Sequence, residues 1–143
     1  MRRRHTLIGA MMVHKGDADG MICGTFGTYG LHLQFVDQVI GRRPGVKDYY
    51  AMNVLMLPNR TVFICDTYVN LDPSAEQIAE MAMLAAEEVR RFGMAPKVAL
   101  LSHSSFGTSD APSAQKMRSA LALLGERAPE LEIDGEMHGD AAL

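Results

Sequence analysis

The apolar positions along this 143-residue chain change period several times, and each change marks an element. Residues 4–15 carry Leu7, Ile8, Met11 and Met12 at three- and four-residue spacing, which predicts a helix with those residues inward, stopped at Gly16. Asp19-Gly20 is a turn signal, and the wholly apolar Met21-Ile22-Cys23-Gly24 predicts a short strand buried on both faces. Helical spacing resumes over 29–41, with Phe35, Val36, Val39 and Ile40 on one side and Gly41 at the end. Two strand-like runs follow, 49–57 and 61–66, joined by Pro58-Asn59-Arg60. So short a link predicts an antiparallel hairpin, because parallel strands need a long crossover.

The rest of the chain alternates more plainly. Asp72-Pro73 predicts a capped helix start with a first-turn proline. Ile78, Met81, Ala82, Ala85, Val89 and Phe92 line one face of the helix predicted over 73–92, which Gly93 ends. Lys97 to His103 reads as a buried strand and Ser104 to Ser109 as a polar loop. Residues 111–127 predict a helix with Met117, Leu121 and Leu124 inward, and 131–135 a last strand. Helices alternating with apolar strands predict an α/β chain, here a three-layer α/β/α domain with a mixed sheet, since the hairpin excludes a purely parallel one.

Composition narrows the function classes. At 48% hydrophobic and 22% charged, the chain can bury a core and fits one soluble domain. A net charge of -3 argues against nucleic acid as a partner, because phosphate neutralisation needs clustered Lys and Arg. No apolar stretch is long enough to span a membrane. The run after Met1-Arg2-Arg3-Arg4-His5 is short, broken by Gly9 and without a cleavage pattern, so it reads as the basic start of a core helix and not as a signal peptide. Cys23 and Cys65 lie in apolar runs with no C-x-x-C spacing, which predicts two buried thiols and a reducing, cytoplasmic setting.

In open α/β sheets ligands meet the loops that leave the carboxyl ends of strands. Two such loops are rich in glycine and hydroxyl residues and each runs into a helix: Gly24-Thr25-Phe26-Gly27-Thr28-Tyr29-Gly30 and Ser102-His103-Ser104-Ser105-Phe106-Gly107-Thr108-Ser109. Backbone N–H groups at a helix start, with Ser and Thr hydroxyls beside them, suit a phosphate or carboxylate; such loops also serve merely to turn the chain and cap helices. Neither matches a P-loop or a dinucleotide fingerprint. His103 between Ser102 and Ser104 hints at nucleophilic catalysis, but no G-x-S-x-G elbow accompanies it. His14, Asp17 and Asp19 lack metal-ligand spacing and read as a solvated turn, while Glu136, His138 and Asp140 alternate and would share one face of a strand, a weak metal or proton-transfer signal.

Taken together the motifs resemble a known family. His14 to Gly24, with its Gly16-Asp17-Ala18-Asp19-Gly20 core, Pro96 to Ser104, and Ala128-Pro129-Glu130-Leu131 with Asp134-Gly135-Glu136 and Asp140-Ala141-Ala142 resemble, in order and spacing, segments of the phosphate acetyl/butyryltransferases. Tyr50-Ala51-Met52-Asn53, Asp66 to Pro73 and Asp134 to Asp140 are similar to the phosphotransacetylase-like C-terminal domain of NADP-dependent malic enzymes, whose catalytic part converts malate to pyruvate. The resemblance implies the phosphotransacetylase-like fold, an acetyl-CoA-sensing and oligomerising role, and acetyl-CoA or CoA as ligand, with no cofactor held tightly. It also implies a malic-enzyme catalytic domain as partner within a longer protein, and a homo-oligomer of two or more copies.

Two departures from the family pattern predict a non-catalytic fragment. Leu31-His32-Leu33-Gln34-Phe35 stands where the transferases have Asp-Thr-Leu-Arg-Pro, so Gln34 replaces a phosphate-holding arginine. The later Asp-Leu-Ser-Arg-Gly motif is absent, and residues 1–143 read as a partial domain lacking the family's beginning and its catalytic segment. The ligand contacts expected are Gly24, Thr25, Gly27, Thr28, Gln34, Ser102, Ser104, Ser105, Thr108 and Ser109, with no catalytic and no metal-binding residue. The rival readings are a working phosphate acetyltransferase and an assembly module without a ligand.

Overall fold

The computed structural model describes residues 4–143, so most of the basic start lies outside it. The chain falls into two compact units, one up to Lys47 and one over Asp48–Leu143.

The first unit holds helices α1 (His5–Lys15) and α2 (Tyr29–Val39), packed on one another. Gly16 ends α1, as its position predicts. The inward face of α1 is not the predicted one: Thr6 and Ala10 are buried, while Ile8, Met11 and Met12 are exposed. Periodicity shows which residues share a face, and here the partner helix takes the face of Thr6, whose Oγ1 lies 2.7 Å from His32 Nδ1 of α2. The strand predicted over 21–24 does not form; these residues are loop, Ile22 is fully exposed and Cys23 is exposed too, against the expectation of burial. A strand exists by pairing, and the first unit has no other strand among the described residues to pair with.

The second unit opens with the hairpin β1 (Met52–Leu57) and β2 (Arg60–Cys65), antiparallel as predicted, with Leu57 opposite Arg60 across Pro58-Asn59. Helix α3 (Ala75–Arg91) starts two residues beyond the expected proline. Ser74 is its cap, accepting from the Gln77 N–H while the Gln77 side chain accepts from the Ser74 N–H. Its buried face is Ile78, Ala79, Met81, Ala82 and Ala86; Phe92 is exposed and meets Phe63 at 5.5 Å between ring centres. Tyr50 fastens the approach to the hairpin by donating to Glu80 of α3 at 2.7 Å; burial, with that bond adding, pushes its pKa up.

Strand β3 (Lys97–Leu101), helix α4 (Pro112–Arg127) and strand β4 (Glu132–Met137) form a β-α-β unit with the two strands parallel, because a helix-long crossover separates them. Both strand polarities are thus present in this α/β chain, divided between two two-stranded sheets. The core of this unit is Ile78, Ala79 and Ala82 of α3 against Leu100 of β3 and Ala120 and Leu124 of α4. No helix among the described residues is long and apolar enough to cross a membrane.

Candidate functional site

The best-built site lies where β3 leaves the sheet. Opposite its end, β4 carries one extra residue: Leu100 pairs with Gly135 but Leu101 with Met137, leaving Glu136 as a bulge. Gly135 permits the close approach this needs, since a Cβ there would sit 2.8 Å from the Leu100 carbonyl oxygen. The bulge breaks the alternation of the strand, so Gly135, Glu136 and Met137 are all buried and Glu136 is fully so.

A buried carboxylate needs partners, and the 102–109 loop supplies them. Glu136 Oε1 accepts from the Ser104 hydroxyl at 2.8 Å, the Gly107 N–H at 2.9 Å and the Arg118 guanidinium at 3.0 Å. Its main-chain carbonyl accepts the Phe106 N–H at 2.7 Å. Oε2, also buried, has no donor among the described residues. The Gly107 N–H, against the opposing cost of burial, then the Ser104 hydroxyl, its own N–H and Arg118 hold the Glu136 pKa down to about 2. Arg118 donates as well to the Ser109 carbonyl at 3.1 Å.

The remaining loop groups bond within the loop or to its flanks. The Ser104 N–H donates to Ser102 Oγ, the Ser105 N–H to Thr108 Oγ1, the Ala111 N–H to Ser109 Oγ and the His138 N–H to Ser105 Oγ. The loop therefore does what its composition predicts, gathering donors around an anion, but the anion is the carboxylate of Glu136 in the same chain. Ser104 is not activated by His103, whose Nε2 is 3.4 Å from Ser109 Oγ. Glu136, His138 and Asp140 do not share a face: Glu136 points inward and the other two are exposed. Among the described residues no three His, Cys, Asp or Glu side chains cluster as metal ligands.

The other nominated loop belongs to the first unit and is open. Thr28 caps α2, its Oγ1 accepting from the Leu31 N–H at 3.4 Å. Gly24 and Thr25 line a cleft of about 240 Å³ with His5, Thr6, Gly9 and Met21 to Cys23. Thr25 has a φ of 71°, a conformation uncommon for a branched residue and a mark of a constrained loop. Gln34 is exposed on α2. The ten nominated residues thus form two groups, Gly24, Thr25, Gly27, Thr28 and Gln34 in one unit and Ser102, Ser104, Ser105, Thr108 and Ser109 in the other.

Sequence patterns pointed at the loops and missed Glu136 and Arg118 as their organisers. The Asp134-Gly135-Glu136 run was the available signal; Arg118 gave none, being one cation on a helix.

The family profile for phosphate acetyl/butaryl transferases matches residues 1–143. The chain belongs to that family. Within it, the chain is 62% identical over 138 residues, 96% of its length, to the NADP-dependent malic enzyme of Escherichia coli (strain K12), and spans 18% of that protein. It is 38% identical over 138 residues to a phosphate acetyltransferase of Nitratidesulfovibrio vulgaris, covering 96% of this chain and 20% of that one. In three dimensions it resembles a phosphotransacetylase from Streptococcus pyogenes with a TM-score of 0.85 and 33% identity, over 99% of this chain and 44% of that one. The fold is therefore phosphotransacetylase-like, and the chain resembles the phosphotransacetylase-like domain of the malic enzymes.

Proposed function

We propose that the chain is a non-catalytic, acetyl-CoA-sensing regulatory and oligomerisation domain of an NADP-dependent malic enzyme, which converts malate to pyruvate and carbon dioxide. The observation that carries the non-catalytic part is the fate of the serine-rich loop. Bond making there needs a nucleophile with a base beside it, and a useful base has a pKa near the working pH. Ser104 gives its hydrogen bond to Glu136, and a carboxylate held near pKa 2 is a poor proton acceptor at neutral pH. The neutral Gln34, where the transferases carry a cationic clamp, supports the same reading. The higher identity to a malic enzyme than to a phosphate acetyltransferase, 62% against 38%, supports the parentage.

Acetyl-CoA, a phosphorylated thioester, is the guest whose chemistry suits the open Gly24–Thr28 loop at the start of α2. Oligomerisation is supported by the hairpin, where Val54 and Met56 of β1 are exposed, Met56 at 86%. Calorimetric titration of the purified chain with acetyl-CoA is expected to give a saturable heat; none at millimolar ligand removes the sensing role. Phosphate-dependent release of CoA well above a blank would establish the acetyltransferase instead. Light scattering that shows a stable monomer would remove the assembly role.

A further inference from the structure

We propose that residues 21–24, with the exposed face of α1 beside them, form a docking surface for a parallel β-strand of the malic-enzyme polypeptide, a strand belonging to the part of the phosphotransacetylase-like fold outside these 143 residues. This rests on the malic-enzyme reading above and adds where the rest of that polypeptide attaches.

Three observations meet in the first unit. The run has strand chemistry without a sheet. Met21, Ile22 and Cys23 are apolar in succession and carry no bend or turn, and their N–H groups donate to no other backbone group among the described residues. Unmet backbone donors on an apolar run are what a sheet edge offers an incoming strand. The second observation is the helix. Ile8, Met11 and Met12 are exposed, and Ile8 and Met12, one turn apart, lie nearly opposite the buried Ala10. α1 already leans on the run, since a Cβ at Gly9 would stand 3.1 Å from Met21 Sδ. A helix against a strand with its apolar stripe still open is an unfinished layer. The third is length. The phosphotransacetylase from Streptococcus pyogenes aligns with 99% of this chain, but only 44% of that protein is aligned. The run and α1 therefore have counterparts inside a fold more than twice as long.

The chain order sets the polarity of the missing neighbour. Helices stand before and after the run, so it reaches other strands only through crossovers, and crossovers make parallel pairs. A wholly apolar run is also what the interior of a parallel sheet uses, being buried on both faces. Two copies of one run related by a twofold axis pair antiparallel, so a second copy of this chain does not meet that requirement.

The test compares the free chain with the same residues grafted into the Escherichia coli NADP-dependent malic enzyme in place of its 138 matching ones. Cys23, exposed in the free chain, is the reporter. In the graft a thiol reagent is expected to label Cys23 about tenfold or more slowly, and the Ile22 and Cys23 amides to exchange about a hundredfold more slowly. Ile22→Asp should leave the melting midpoint of the free chain unchanged, because Ile22 is fully exposed there, and should restore fast Cys23 labelling in the graft. Labelling and exchange in the graft at the free-chain rates overturn the proposal. So does protection of Cys23 in the free chain that grows with its concentration, which would seat a second copy on the surface. If the graft does not fold, amide exchange over the aligned run of the intact Escherichia coli enzyme decides: slow exchange there supports the docking and rapid exchange overturns it. Acetyl-CoA is left out of these mixtures, and its effect on malate oxidation by the graft is read separately. A response with Cys23 unprotected removes the docking and keeps the sensing role; protection without a response does the reverse.

Discussion

Gly135→Ala is expected to be among the most damaging single-methyl additions this chain can receive. The new Cβ would stand 2.8 Å from the Leu100 carbonyl oxygen, 3.0 Å from the Leu100 Cβ and 3.2 Å from the Leu100 nitrogen. Two of these neighbours are backbone atoms of the paired strand, so no side chain can swing aside; β3 and β4 must part. Overpacking of this kind costs about 1–3 kcal/mol. The Gly135 φ of 140° adds strain for any L residue, on the order of 1–3 kcal/mol. A loss of about 4 kcal/mol follows, a large share of the ~5–15 kcal/mol that holds an ordinary domain together. In a chain of this size that lowers the melting midpoint by roughly 10 °C. Gly93→Ala is the control. It also has a positive φ, 76°, but its Cβ would meet nothing within 4 Å, so only the left-handed strain of about 1–2 kcal/mol applies. Urea unfolding followed by circular dichroism measures both. If Gly135→Ala loses no more stability than Gly93→Ala, the close approach of the two strands at the Glu136 bulge is wrong.

Four further outcomes are expected. Gly125→Ala, exposed within α4 with nothing within 4 Å of the new methyl, should stabilise the chain by about 0.5–1 kcal/mol, read from the urea midpoint. Ser74→Ala, which removes half of the capping box, should cost about 1 kcal/mol in the same assay. The Glu136 carboxyl is depressed from 4.5 to about 2 on folding, so its contribution is complete above pH 4.5 and drains away as pH falls toward 2. Stability measured from pH 5 to 2 should therefore fall less steeply in Glu136→Gln than in the unsubstituted chain, and parallel slopes would contradict the depressed pKa. A thiol reagent at pH 8 should modify Cys23 well before Cys65, because Cys23 is exposed while burial, with Asp66 adding, pushes the Cys65 thiol up to about 11; peptide mapping of the labelled sites decides it.

Most elements were legible because their signals were local. The Pro58-Asn59 link could only join antiparallel strands, and the three- and four-residue spacing of Ile78, Met81 and Ala82 could only serve a helix with one face inward. What was not legible depended on partners. Met21 to Gly24 has the composition of a buried strand, but composition cannot supply a neighbour to hydrogen-bond with. Leu7, Ile8, Met11 and Met12 share a face of α1, yet the face that is covered is set by Thr6 and its contact with His32. The site was half legible for the same reason. Glycine and hydroxyl residues announced a loop that gathers donors around an anion. That the anion is Glu136 depends on one extra residue in β4, and a one-residue shift in a strand moves a side chain from one face to the other. No alternation pattern could show it.

Melting the purified chain with and without acetyl-CoA tests the central claim most directly. A ligand that binds only the folded state at about one hundred times its dissociation constant adds roughly 2.7 kcal/mol. The midpoint should then climb with acetyl-CoA and level off, while acetate alone leaves it in place. Superimposable melts at millimolar acetyl-CoA would contradict the sensing role outright.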